Sequence, residues 1–482
     1  MTIDFGCDAR GPSVPLPHFW EHTVGSDHAA MALRVDWRAQ LQRAHAELGF
    51  EYVRFHGLLS DDVGAFTRIG ETKIYSFHNV DLIFDFLLSI GMKPFVELSF
   101  MPTGLASGPQ EVFHYRGNIS LPTSYPAWAE LIENLVRHCV QRYGLAEVRQ
   151  WFFEVWNEPN LGFFFVGGFD DYIELYAHAT RAIKSVDGEL RVGGPATAAN
   201  AWIEEFVARC REIDAPVDFI STHHYPTDAF GKPEDDTVTQ LALGHPSALR
   251  EQAAKVKGEA AGLPVHYTEW SSSSNPRDEL HDETFAACFI VKTVLEARGL
   301  VEAYGWWTFS DIFEENYFPS IQFHGGFGLL TIDGVAKPAY RAFEVLHALG
   351  EELLDVEGAH ETVNCWAIRR ERTITLLFCN FALPRWPIAE RSVRMTLRNA
   401  VARSAEIRRI DADHANPKRL WLEMGEPEDL AAQDLARLGE ASRCDAEAMD
   451  FANTANGVSF ELSLEPLAIA AVTVALDAVP MA

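Results

Sequence analysis

Positive charge is scarce in this chain: 40 Lys and Arg stand against 69 Asp and Glu, a formal net charge of −29. Such a field repels phosphate backbones and anionic lipid, so nucleic acid and membrane surfaces are poor partners and neutral ligands are favoured. Long apolar runs are missing too. No stretch reaches the roughly 18 uninterrupted apolar residues of a membrane span, and the opening Met1–Asp8 carries acids where a signal peptide carries basic residues. Cysteine is sparse, with seven scattered residues and no C-x-x-C pair; that points to free thiols in a reducing compartment, the cytoplasm, rather than to a disulfide frame or a metal cluster. No G-x-G-x-x-G follows an early strand and no H-E-x-x-H occurs, so neither a cofactor nor a metal is expected.

What is present is an ordinary apolar fraction, 48%, and an abundance of large rings: 32 Phe, 12 Trp and 12 Tyr in 482 residues. Disorder and fibrous architectures are therefore out. Over the first 350 residues, short apolar segments alternate with longer amphipathic ones. Strands are predicted at 19–25, 51–57, 94–100, 150–157, 190–194, 218–225, 264–270 and 301–309, with helices between them at 79–90, 126–143, 170–186, 199–213, 247–257 and 283–298. Several strands are apolar throughout, as when both faces are buried. Eight strand–helix units make the count of an α/β fold of the (β/α)8 TIM barrel class. After a helix at 338–349 the pattern turns to closely spaced strands at 362–369, 373–381, 392–398, 405–410, 458–464 and 468–476, which suggest a C-terminal β-sandwich. The division expected is a catalytic barrel over 15–350 and an accessory sandwich over 1–14 and 351–482, with 426–450 a helical insertion or a surface loop.

In such a barrel, side chains just past the carboxyl ends of the strands face the active site. Arg54 and His56 close the second strand, Asn157 and Glu158 the fourth, His223 and Tyr225 the sixth and Glu269 the seventh; Trp306, Trp307 and then Glu314 follow the eighth. A glutamate at a strand end is usually only a solvated loop residue, and Asn157-Glu158-Pro159 is by itself a common tripeptide. Two such carboxylates on opposite strands, four and seven, are another matter. Cleaving an acetal needs a proton for the leaving oxygen and a partner for an oxocarbenium-like carbon. Carboxyl groups roughly 5–5.5 Å apart supply both, whereas a wider gap admits water and inverts the centre. Their protonation states must differ, which requires an apolar wall for the acid; Trp156 and the run Phe163-Phe164-Phe165 can form one beside Glu158. Arg54 within reach of Glu269 would favour its anion. Asn157 is suited to a sugar hydroxyl and Trp307 to the flat face of a sugar ring, while Glu97, inside a strand, reads as one half of a structural pair with a barrel arginine.

These stretches resemble glycoside hydrolase family 39: Phe19-Trp20-Glu21, Arg54-Phe55-His56-Gly57, Trp156-Asn157-Glu158-Pro159-Asn160, His223-His224-Tyr225-Pro226, Thr268-Glu269-Trp270 and, most specifically, the run from Trp307 to Glu315. The resemblance implies Glu158 as acid/base and Glu269 as nucleophile. It implies His56, Asn157, His223, Tyr225, Trp307 and Glu314 around the non-reducing sugar, with Phe113 in the same wall. Because the histidine is doubled, whether His223 or His224 faces the sugar is left open. The family's activities include β-xylosidase and α-L-iduronidase. An iduronidase needs a basic residue for its substrate's carboxylate, and the acidic chain argues against it, so the expectation is a retaining exo-β-1,4-xylosidase acting on short xylo-oligosaccharides. The alternatives are another glycosidase of the family (α-L-iduronidase or β-galactosidase) or a non-catalytic carbohydrate-binding protein. The short tail after the last strand, 477–482, favours a monomer over a homo-oligomer.

Overall fold

A computed structural model describes residues 2–229, 236–315, 319 and 321–477; of the expected tail, 478–482 lie outside the described residues. Eight parallel strands close into a barrel: Thr23–His28, Tyr52–His56, Lys93–Leu98, Phe152–Val155, Arg191–Thr197, Phe219–His223, Val265–Trp270 and Ala303–Trp306, the last pairing with the first. Each is followed by a helix that packs on its outside, from Val35–Leu48 after the first to Pro338–His347 after the eighth. Local signals set the ends. Ser124 accepts from Ala127 N–H and Pro126 sits in the first turn of Tyr125–Tyr143, while Gly49 ends Val35–Leu48 in the left-handed region.

The first strand lies later than the hydrophobicity suggested. Phe19 and Trp20 are buried as a turn that packs edge to face at 5.3 Å, and the strand itself is the polar-looking Thr23–His28, wholly buried. Apolar content marked the burial and not the backbone. At the amino end of the barrel, Tyr52, Phe95, Phe152 and Phe219 cluster with their rings in contact, which plugs that end and leaves the carboxyl rim as the mouth.

Two further sheets stack around a second core that includes Phe5, Phe378, Met395, Phe460 and Val472. The amino terminus joins both. Ile3–Asp8 runs parallel to Arg391–Arg398, and Ser13–Pro15 pairs with Glu352–Leu354. The helix Thr284–Glu296 is buried from Thr284 to Leu295, Lys292 included, because it is covered twice: its inner side meets the barrel, and Phe285 and Phe289 meet Phe381 of the sandwich at 5.5 and 6.2 Å. Within 426–450 the chain forms the helix Ala432–Ala441. Together with Pro417–Glu423 it packs Leu438 and Trp421 against Phe323 and Val335, in the segment after the eighth strand. Among the described residues no helix is long and apolar enough to cross a membrane.

Candidate active site

The carboxyl ends of the strands carry the chemistry, and their irregularity decides which side chains point inward. Pairing shifts register between Thr222 and His223, and again between Tyr267 and Trp270. The strict alternation of a regular strand is broken there, and Thr268 and Glu269, neighbours in sequence, both reach His223. After the fourth strand, Trp156 and Glu158 hold left-handed backbone at φ 70° and 42°, which non-glycine residues rarely adopt. The Glu158 N–H donates to Ala196 C=O at 2.8 Å and anchors the turn to the next strand.

Glu158 and Glu269 each bring an oxygen within 4.8 Å of the other, with His223 Nδ1 2.9 Å from Glu158 and 3.5 Å from Glu269. Burial pushes the Glu158 carboxyl up to about 7, against the pull of His56 and Arg54. Glu269 has both oxygens engaged: Arg54 donates Nη1–H to Oε1 at 2.6 Å, and Tyr225 donates its hydroxyl to Oε2 at 2.8 Å. One carboxyl is thus set to carry a proton and the other to carry charge. That is the division of labour that double displacement requires, at a separation too small for an intervening water. The two glutamates and His223 could also bridge a small cation by spacing alone, but the Glu269 oxygens a cation would take are those already held by Arg54 and Tyr225.

Arg54 is the hub. It is wholly buried and donates to Glu154 (2.6 Å), Glu269 (2.6 Å) and the Asn157 carbonyl (2.8 Å), while Glu97 lies 3.1 Å away. Burial alone would lower its proton affinity; the carboxylates of Glu154, Glu97 and Glu269 raise it further. Because Arg54 takes the Asn157 carbonyl, the Asn157 amide remains to serve as a donor. His56 donates Nδ1–H to Glu97 at 2.9 Å and faces Glu315 with Nε2 at 3.0 Å. Burial disfavours its charge, but Glu97 and Glu315 lift it to about 10, and it stands as an imidazolium.

Trp307 is buried against His56 at 4.8 Å and Phe313 at 6.3 Å. Gly25 makes room for it: a β-carbon there would lie 2.4 Å from the indole. Phe113 extends the wall outward, 6.1 Å from His56 and 6.0 Å from the half-exposed Phe163.

His223 faces both carboxylates, whereas His224 leaves the site and meets Glu269 only through its backbone N–H. Glu314 turns to His114, 2.9 Å away, and its N–H donates to Asp27; the acid beside His56 is its neighbour Glu315. Sequence reading passed over Glu315, Glu154 and Thr268. For Glu154 the signal was present: an acid inside Phe152–Val155, otherwise apolar, needs a buried partner. Glu315 and Thr268 carry no such mark.

The sequence profile of glycosyl hydrolases family 39 matches residues 5–457. A β-xylosidase of Caldicellulosiruptor saccharolyticus is 48% identical over 463 residues, covering 95% of this chain and 95% of that protein. A β-xylosidase of Geobacillus stearothermophilus is 36% identical over 438 residues, covering 88% and 86%. Among solved structures, a monomeric β-xylosidase from Caulobacter crescentus CB15 superposes with a TM-score of 0.89 at 31% identity, over 99% of this chain and 100% of the other.

Proposed function

The chain belongs to glycosyl hydrolase family 39, and from that premise we propose that it is a retaining exo-β-1,4-xylosidase that releases xylose from the non-reducing end of short xylo-oligosaccharides. The observation that carries the reading is the carboxyl pair: Glu158, lifted to about 7, within 4.8 Å of Glu269. In the first step Glu269 attacks the anomeric carbon while Glu158 gives its proton to the departing oxygen. In the second, Glu158 takes a proton from water as the water oxygen displaces Glu269, so the product keeps the β configuration. Asn157, His56, Tyr225, Trp307 and Phe113 line the sugar's side of this pair, and Glu315 joins them in the place foreseen for Glu314. The two β-xylosidases at 48% and 36% identity support xylose as the sugar. A uronate is less favoured, because the two cations beside the carboxylates, Arg54 and His56, are already committed to Glu154, Glu97, Glu269 and Glu315. A monomer working in the cytoplasm on imported oligosaccharides fits the acidic chain, and the solved relative described as monomeric supports that oligomeric state.

Hydrolysis of a panel of p-nitrophenyl glycosides, with the first product anomer followed by NMR, tests this reading. Fast release from the β-xyloside with β-xylose appearing first is the expected result. α-Xylose first would overturn the nucleophile. Turnover of another sugar alone would keep the mechanism and move the substrate, and silence across the panel would favour a binding protein.

A further inference from the structure

His223 has two neighbours that cannot both receive a proton from it unless it is charged, and its surroundings disfavour that charge. Its Nε2 lies 3.1 Å from Thr268 Oγ1 and its Nδ1 2.9 Å from Glu158 Oε1. The Thr268 hydroxyl has one proton, and it is spoken for: Oγ1 donates to Glu154 Oε1 at 2.8 Å. Glu154, whose other oxygen is bound by Arg54 at 2.6 Å, offers only lone pairs. A charge-assisted bond to that carboxylate outcompetes one to a neutral ring nitrogen. The threonine oxygen therefore accepts from His223, and Nε2 carries the ring proton. Burial pushes His223 down to about 4, against the pull of Glu269, so the ring is neutral and Nδ1 is a lone pair. Across a 2.9 Å contact from a lone pair, only a protonated Glu158 makes a hydrogen bond.

We propose that Thr268, oriented by Glu154, is a positioning residue that locks His223 in its Nε2–H tautomer and thereby keeps Glu158 in the acid form. The proposal rests on Glu158 being the general acid. With the other tautomer, Nδ1–H would donate to Glu158 and favour its anion, which is the wrong state for protonating a leaving group. With this tautomer the ring helps only the protonated carboxyl. Once the proton has gone to the departing oxygen, the bared Oε1 faces a lone pair and is the more ready to take a proton from water in the second step. The other charged or titratable groups around the pair are Arg54 and His56 on the second strand, Glu97 on the third, Tyr225 and Glu269 beyond the sixth and on the seventh, and Glu315 after the eighth. Of these, Glu269 Oε2 is 3.5 Å from Nδ1, outside bonding range, and is taken by Tyr225. None reaches Nε2 in place of Thr268.

Two measurements test it. In the intact enzyme labelled with 15N-histidine, the His223 ring signals (identified by their loss in His223→Asn) are expected to show a protonated Nε2 and a bare Nδ1. A protonated Nδ1 in the free enzyme would overturn the proposal whatever the substrate is. Thr268→Val then removes the hydroxyl and keeps the shape. The alkaline limb of kcat/KM on xylobiose is expected to move down by about one pH unit, a roughly tenfold loss on that limb. On a dinitrophenyl xyloside, which needs no proton, the rate should stay within about twofold. Thr268→Ser should restore the limb. An unmoved limb, or equal losses on both substrates, would overturn the positioning role. If instead Glu158→Ala shows no dependence on the leaving group while the tautomer is as expected, the acid assignment fails and the lock on His223 stands.

Discussion

Arg54 meets Glu269 at 2.6 Å from a position with no exposed surface, and the same guanidinium holds Glu154, Glu97 and Asn157. A planar fork can serve acceptors on several sides, whereas a lysine presents a point charge. Removing one partner of a buried pair leaves the others uncompensated. Arg54→Met should lower unfolding free energy by about 3–5 kcal/mol in denaturant titrations and abolish turnover. Arg54→Lys should retain part of the stability and little of the activity. A fully active Arg54→Lys enzyme would contradict the bracing role of the fork.

The two glutamates should separate by leaving group. Glu269→Ala is expected to abolish turnover with the circular dichroism unchanged. Glu158→Ala should slow xylobiose by about 10²–10⁴-fold and activated aryl xylosides far less, as read by steady-state kinetics on both. Near-equal losses would sink the acid/base assignment.

Acidity sets the pH dependence. Glu158 acts as an acid only while protonated, so kcat/KM on unactivated substrates should fall as pH rises through about 7. Stability follows the same group. Its folded-state value is raised from 4.5 to about 7, so the folded chain binds the extra proton and stability falls as pH climbs between those values, by up to about 1.4 kcal/mol per pH unit. Glu158→Gln lacks this loss. It should therefore be more stable than the parent at pH 8 and equal to it near pH 4. Denaturation midpoints at the two pH values decide it.

Gly25 is where backbone and pocket meet. Gly25→Ala would put a methyl 2.4 Å from the Trp307 ring, and the indole must move. The expected outcome is a KM on xylosides raised about tenfold or more, with a folded barrel, because overpacking of this kind costs about 1–3 kcal/mol. An unchanged KM would show that Trp307 does not form the floor of the sugar site.

Much of this arrangement was legible in sequence because burial and strand ends leave local marks. Apart from the polar-looking first, the barrel strands stand in apolar segments between helix punctuation, and the later strands of the sandwich carry period-2 or apolar runs. The carboxylates of Glu158 and Glu269 were visible because a strand end in a barrel is a known place. Thr268 was not: alternation sets it on the inward face with His266, but nothing along the chain shows that His223 and Glu154 lie across from it. Glu315 was missed for the opposite reason: two acids in a row after a strand have no period to separate them, and contact with His56 chose the second.

The fold class and the pair of carboxylates can be read along the chain, since hydrophobic period and strand-end position are properties of a few adjacent residues. The state of each group is set by the folded arrangement. The proton on Glu158, the charge on His56 and the tautomer of His223 depend on what lies within about 3 Å across the barrel, from residues as far apart in the chain as His56 and Glu315. Coulomb and hydrogen-bond energies fall with distance in space and are blind to distance along the chain.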